Sequence, residues 1–95
     1  MQIEEVRALL PGAILTEHFR QRMYARGLRY ADIQACIISG EIIEQYTEDY
    51  PHPSCLINGS GIHVVCAVGE DQLYIITAYR PAPDRWLDGG RTRKG

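Results

Sequence analysis

A chain of 95 residues with a formal net charge of −2 has room for one domain with a modest core, and not for two. That balance argues against a protein that coats nucleic acid constitutively. The longest apolar run, Val64 to Val68, is far too short to span a bilayer, so no membrane partner is expected.

In chain order, Ile3 to Leu10 reads as a short helix stopped by Pro11-Gly12. Glu4 and Glu5, with no long apolar run beside them, do not resemble a secretory leader. Thr16 reads as an N-cap, Phe19 and Met23 as an apolar stripe, and Gly27 as a left-handed stop. Leu15, just before the cap, is placed to staple onto that stripe. A second long helix is predicted from about Tyr30 to Ser39, with Tyr30, Ile33, Cys36 and Ile37 on one face.

After Gly40 the period shortens toward two, and strands are predicted at Glu41–Tyr46, Ser54–Ile57, Ile62–Val68 and Leu73–Tyr79. Asn58-Gly59-Ser60-Gly61 and Gly69-Glu70-Asp71 supply the turns. The expectation is an α+β domain over residues 1–88: two or three N-terminal helices packed on a four-stranded, mainly antiparallel sheet. Residues 89–95, rich in Arg, are expected to form a mobile tail. The two central strands are apolar on both faces, so Trp86 or a partner protein should cover the side away from the helices.

Cys36, Cys55 and Cys66 are odd in number, lack CxxC spacing and sit in apolar contexts. A reduced, cytoplasmic setting is the expectation.

Charge is segregated along the chain. Residues 18–30 hold four arginines and no acid, residues 31–79 hold seven acids and no Lys or Arg, and residues 80–95 hold five basic against two acidic side chains. Nine of the ten Lys and Arg residues are Arg, the side chain that grips phosphate in a fork and stacks on planar rings. Such a pattern can focus an anion at one edge despite the overall sign.

Three groups of residues could carry chemistry. His18, Arg22 and Arg26 are spaced four and four, and so climb one face of a helix, an arrangement suited to acid–base work beside a phosphate. Tyr79 and Arg80 close the last long strand, and His63 opens its neighbour. With a loop of Glu70-Asp71 alone, His63 shares a face with Arg80; with Gly69 in the loop, it shares a face with Tyr79. His52, Cys55, Cys66 and His63 are zinc-ligand types, but no paired spacing joins them, and no metal or other cofactor is expected.

The motifs LTxHxxxRMxxRG (Leu15 to Gly27), GEIIE (Gly40 to Glu44), HVV (His63 to Val65) and IITAYRPxPDRW (Ile75 to Trp86) together resemble a family of small bacterial and archaeal proteins known as a domain of unknown function, over roughly residues 14–88. Members resemble the RelE and BrnT toxins in element order and are linked with the small zinc-finger antitoxins that partner MqsR-like toxins. The resemblance implies a metal-independent endoribonuclease, the toxin of a type II toxin–antitoxin pair. His18, His63, Tyr79 and Arg80 would be catalytic, with Arg22, Arg26 and Arg85 holding phosphate. RNA or the ribosome and a cognate antitoxin would be its partners, and a homodimer is compatible with the residues. Ribosome-dependent toxins are usually strongly basic, and this chain is not. The alternative is a non-catalytic module that binds a regulatory partner through an open sheet face and the arginine tail. A small-molecule binder using the same cations as an anion pocket is the third class.

Overall fold

Short-range signals shape the helical half of the chain. In the computed structural model, which describes residues 1–95, Ile3–Leu9 form α1 and a 3-10 turn follows at Leu10–Gly12. Thr16 Oγ1 accepts the Phe19 N–H at 3.0 Å at the start of α2, Glu17–Ala25. A cap of this kind contributes about 1 kcal/mol. Gly27, at φ +71°, ends the helix, and the Leu28 N–H turns back to the Met23 carbonyl at 2.9 Å. The third helix, α3, spans Tyr30–Ser39 and buries Ile33, Cys36 and Ile37. Arg7 closes its far end, donating to the carbonyls of Ile37 and Gly40 at 3.0 and 2.9 Å.

The strands are β1 (Ile14–Leu15), β2 (Glu41–Tyr46), β3 (Ser54–Gly59), β4 (Ile62–Gly69) and β5 (Gln72–Tyr79). They form one five-stranded sheet in the order β1-β5-β4-β3-β2. This corrects the expected four-stranded, mainly antiparallel sheet: β1 runs parallel to β5, so the sheet is mixed. A two-residue strand shows no alternation in sequence, which is why Leu15 read only as a helix staple. No helix is long and apolar enough to cross a membrane.

One face of the sheet packs on the helices. Phe19, Met23, Ile33, Cys36 and Ile37 meet Cys55, Ile57, Ile62, Val64, Cys66, Leu73, Ile75 and Ala78 in a single buried cluster. Each fully buried Val, Leu, Ile, Phe or Met side chain in it stabilises the fold by roughly 1.5–3 kcal/mol.

Two bulges decide what the other face presents. The alternation that buries Leu73 and Ile75 would bury Thr77 and Tyr79 next, but the β4–β5 pairing shifts by one residue between Val65 and Cys66. Ile76 becomes the extra residue, Ala78 takes the core position, and Thr77 and Tyr79 turn to the far face. A second shift, between Ile42 and Glu44, does the same for Glu44 and Tyr46. The far face is partly covered by a small hairpin, β6 (Trp86–Leu87) with β7 (Thr92–Arg93). Within it the Lys94 N–H reaches the Arg85 carbonyl at 2.8 Å. Trp86 is 9% exposed and serves as the expected cover.

Candidate functional site

Beside this hairpin lies a cleft of about 500 Å³ lined by Tyr79, Arg80, Ala82, Asp84, Arg85, Trp86 and Arg93. Its floor depends on the β5 bulge. The β4–β5 loop is Glu70-Asp71 alone, which by itself would set His63 opposite Ala78; the extra residue Ile76 sets it opposite Tyr79 instead. His63 and Tyr79 therefore share the far face, their ring centroids 5.3 Å apart. The indole of Trp86 meets His63 edge-on at 4.4 Å.

His63 is 0% exposed, yet both ring nitrogens have partners. Nε2 lies 2.7 Å from the Gly90 carbonyl and Nδ1 lies 3.3 Å from the Tyr79 hydroxyl. A carbonyl can only accept, so Nε2 carries the proton. Nδ1 of the neutral ring then accepts from Tyr79 O–H. Burial holds the His63 pKa below the usual 6.5 and so favours that neutral form. Burial also raises the Tyr79 pKa, keeping it a phenol. The arrangement draws the Tyr79 proton inward and leaves its lone pairs for the cleft.

Gly90 approaches His63 at φ +92°, and a Cβ there would lie 2.9 Å from Asn58 Oδ1 and from Pro81 Cγ, and 3.1 Å from His63 Nε2. Only glycine fits without displacement. Asn58 Oδ1 is buried beside it with no hydrogen-bond partner.

On the outer side, Arg93 grips Glu44 in a fork, Nε to Oε2 at 2.7 Å and Nη2 to Oε1 at 3.0 Å. The same guanidinium lies 4.8 Å above the Trp86 ring. Tyr46 donates its hydroxyl proton to Glu44 Oε1. Arg93 holds the Glu44 carboxyl below its usual range. Burial, with Glu44 beside it, pushes the Tyr46 phenol up to about 12.

The arginines divide between fastening the fold and facing the cleft. Arg26 donates to the Ala78 carbonyl at 2.8 Å and to Thr77 Oγ1 at 3.1 Å, covering the edge of β5 beyond β1. Arg80 Nη1 returns the tie by donating to the Arg26 carbonyl at 2.8 Å. Arg91 pairs with Glu41. Arg85 makes no side-chain hydrogen bond or ion pair, and so is the free cation of the cleft.

Of the residues singled out in sequence, the fold brings Tyr79, Arg80 and Arg85 to one cleft, with His63 directly behind Tyr79 and Arg26 fastened to Arg80. His18 and Arg22 do not join them. Both are exposed on α2, on the helical side of the sheet, and neither side chain has a partner. The zinc-type residues are also split: Cys55 and Cys66 lie in the helix-facing core with Sγ atoms 3.8 Å apart, while His52 and His63 lie on the far face. No group of three or more metal-ligand side chains occurs. The Cys36 thiol, pushed up to about 12 by burial, is inert as a nucleophile at neutral pH.

Sequence reasoning missed Glu44, Tyr46, Gly90 and Arg93. The pair Gly89-Gly90, after a lone Trp, was the available sign of a tight turn returning onto the sheet.

The chain belongs to the family described as Domain of unknown function (DUF4258). The family's model matches residues 15–80, against the 14–88 expected from motifs. Arg85, Trp86, Gly90 and Arg93 lie beyond the matched stretch, so part of the cleft and all of its hairpin do too. Nothing among the curated proteins or the solved structures matches the chain.

Proposed function

We propose that this domain is a metal-independent endoribonuclease of the toxin type, acting at the Tyr79 cleft. The observation that carries the reading is the convergence of a buffered phenol, three guanidinium groups and an indole on one opening. In this reading Arg80, Arg85 and Arg93 hold the scissile phosphate, and Trp86 and Tyr79 meet a nucleobase. Tyr79 takes the proton of the RNA 2′-hydroxyl as its own passes to His63 Nδ1. The 2′-oxygen attacks phosphorus, and the 5′-oxygen leaves with a proton from water in the open cleft. The products are a 2′,3′-cyclic phosphate and a 5′-hydroxyl end. Tyr79 is the catalytic residue and His63 a positioning residue and proton store, because His63 has no exposed surface. His18 and Arg22 have no part in it. RelE- and BrnT-like toxins, with a small zinc-finger antitoxin as partner and cytoplasmic mRNA or the ribosome as target, are the setting this reading implies.

The test is cleavage of single-stranded RNA by the purified chain in EDTA, with growth on induced expression followed in parallel. Cleavage that persists in EDTA, leaves cyclic phosphate ends and falls at least about a hundredfold in Tyr79→Phe supports the reading. Intact RNA and unimpaired growth would remove it. The remaining reading would then be a non-catalytic module, favoured by the apolar groove left open at the opposite end of the same sheet face.

A further inference from the structure

That groove, of about 390 Å³, is lined by Asp49, Tyr50, Pro51, His52, Ala67, Tyr74 and Ile76. It lies on the far face of β4 and β5, where the β6–β7 hairpin does not reach. His52 stacks on Tyr74, ring centroids 5.4 Å apart and planes within 15°. Tyr50 is 94% exposed and Ile76, the bulged residue of β5, is 50% exposed. Large apolar side chains left in water at one concave place mark a surface that something else covers.

The charge around the groove says what kind of partner fits. Every lining residue belongs to the stretch 31–79, which contains seven acids and neither Lys nor Arg. Asp49 is in the wall, Glu48 adjoins it, and Glu70 and Asp71 form the turn just past Gly69, against which the His52 ring is packed. Phosphate would be repelled here. A cation gains twice, from the carboxylates and from the π-faces of Tyr50 and Tyr74.

We infer that this groove docks a basic segment of a partner protein, in which apolar side chains alternate with Arg or Lys. The apolar side chains lie on Ala67 and Ile76. One cation stands against Tyr50 and Tyr74 with Asp49 as its counter-charge. A second copy of this chain and an RNA strand are the competing occupants, and the test separates them. The surface is independent of the Tyr79 cleft, and its failure would leave the ribonuclease reading standing.

The experiment is fluorescence anisotropy on the full chain with a labelled peptide of alternating Arg and Leu, its Glu–Leu counterpart, and a labelled single-stranded RNA. The basic peptide should bind, weaken as salt is raised, and lose roughly tenfold in affinity in Tyr50→Ala. Tyr50 is so exposed that this variant keeps its fold, and Asp49→Asn gives a second, charge-only arm. Binding of the acidic peptide or of RNA with equal, Tyr50-dependent affinity would overturn the inference. So would a basic peptide indifferent to both variants, no peptide binding at all, or a Tyr50-dependent dimer seen by sedimentation with no peptide binding.

Discussion

The two ends of the far sheet face are built from similar parts and treated in opposite ways. At one end His63 and Tyr79 lie under a hairpin that the chain supplies itself through Trp86, with arginines around the opening. At the other, His52, Tyr74 and Tyr50 stand open among carboxylates. A sheet with apolar residues on both faces must be covered on both. Here the chain covers half of its second face, and the uncovered half carries the charge opposite to the covered one. A net charge of −2 therefore hides a cationic opening and an acidic groove along one face.

The largest way to break this contrast is to remove the cover. Trp86→Ala should cost about 3 kcal/mol, through the lost indole and the void it leaves on His63. By thermal denaturation that is a fall in midpoint of more than about 10 °C for a chain of this size. Tyr50→Ala, at the open end, should change stability by less than about 0.5 kcal/mol. Equal effects would show that the hairpin does not stabilise the sheet.

Gly90→Ala should come next, at about 1–3 kcal/mol, because it combines a left-handed backbone with a Cβ 3.1 Å from His63 Nε2. The His63 ring protons should shift in NMR spectra while those of His52 stay in place. Unmoved His63 signals would separate the hairpin from the ring beneath it.

The third prediction concerns acid. The His63 pKa is lowered by burial, so the unfolded chain binds a proton below 6.5 before the folded one does. The neutral ring's contribution is present above about 6.5 and is lost as pH falls below it. Denaturant midpoints should drop between pH 7 and 5, and His63→Phe should flatten that limb. RNA cleavage, if Tyr79 hands its proton to His63, should persist below 6.5 and fade only as pH falls through the lowered pKa of the folded ring. A pH profile identical in His63→Phe would assign the acid limb elsewhere.

How much of this was legible follows from what each signal depends on. Caps, stops and helix stripes are local, and so Thr16, Gly27 and the Tyr30–Ser39 helix could be read directly. The family region, too, was visible in motifs that fall largely within residues 15–80. The fifth strand was not, because two residues carry no period. The bulges at Ile43 and Ile76 were not either, since an extra residue in a strand is set by packing against the neighbour. That hidden residue in β5 is why both simple registers for His63 fell short: the loop is the shorter one, yet His63 faces Tyr79. His18 lies away from the Tyr79 cleft for a related reason. Helical spacing places it on a face of α2, but not on a side of the sheet.

The smallest expected effect is at Glu44, and it sharpens the comparison most. The fork to Arg93 is short, but the Arg93 side chain is 63% exposed, so solvent screens it. Glu44→Gln should cost less than about 1 kcal/mol at pH 7. Because Arg93 lowers the Glu44 pKa, the pair's contribution is present above about 4.5 and lost as pH falls through the lowered value. Its acid limb thus lies below that of His63, and the two variants should flatten different parts of one curve. The functional effect should exceed the thermodynamic one. With the carboxylate gone, Arg93 loses the anchor that holds it over Trp86, and binding of RNA at the cleft should weaken while binding of the basic peptide at the Tyr50 groove does not change. Parallel loss at both ends would mean that the far face behaves as one surface, and the division between a covered cationic end and an open acidic end would fail.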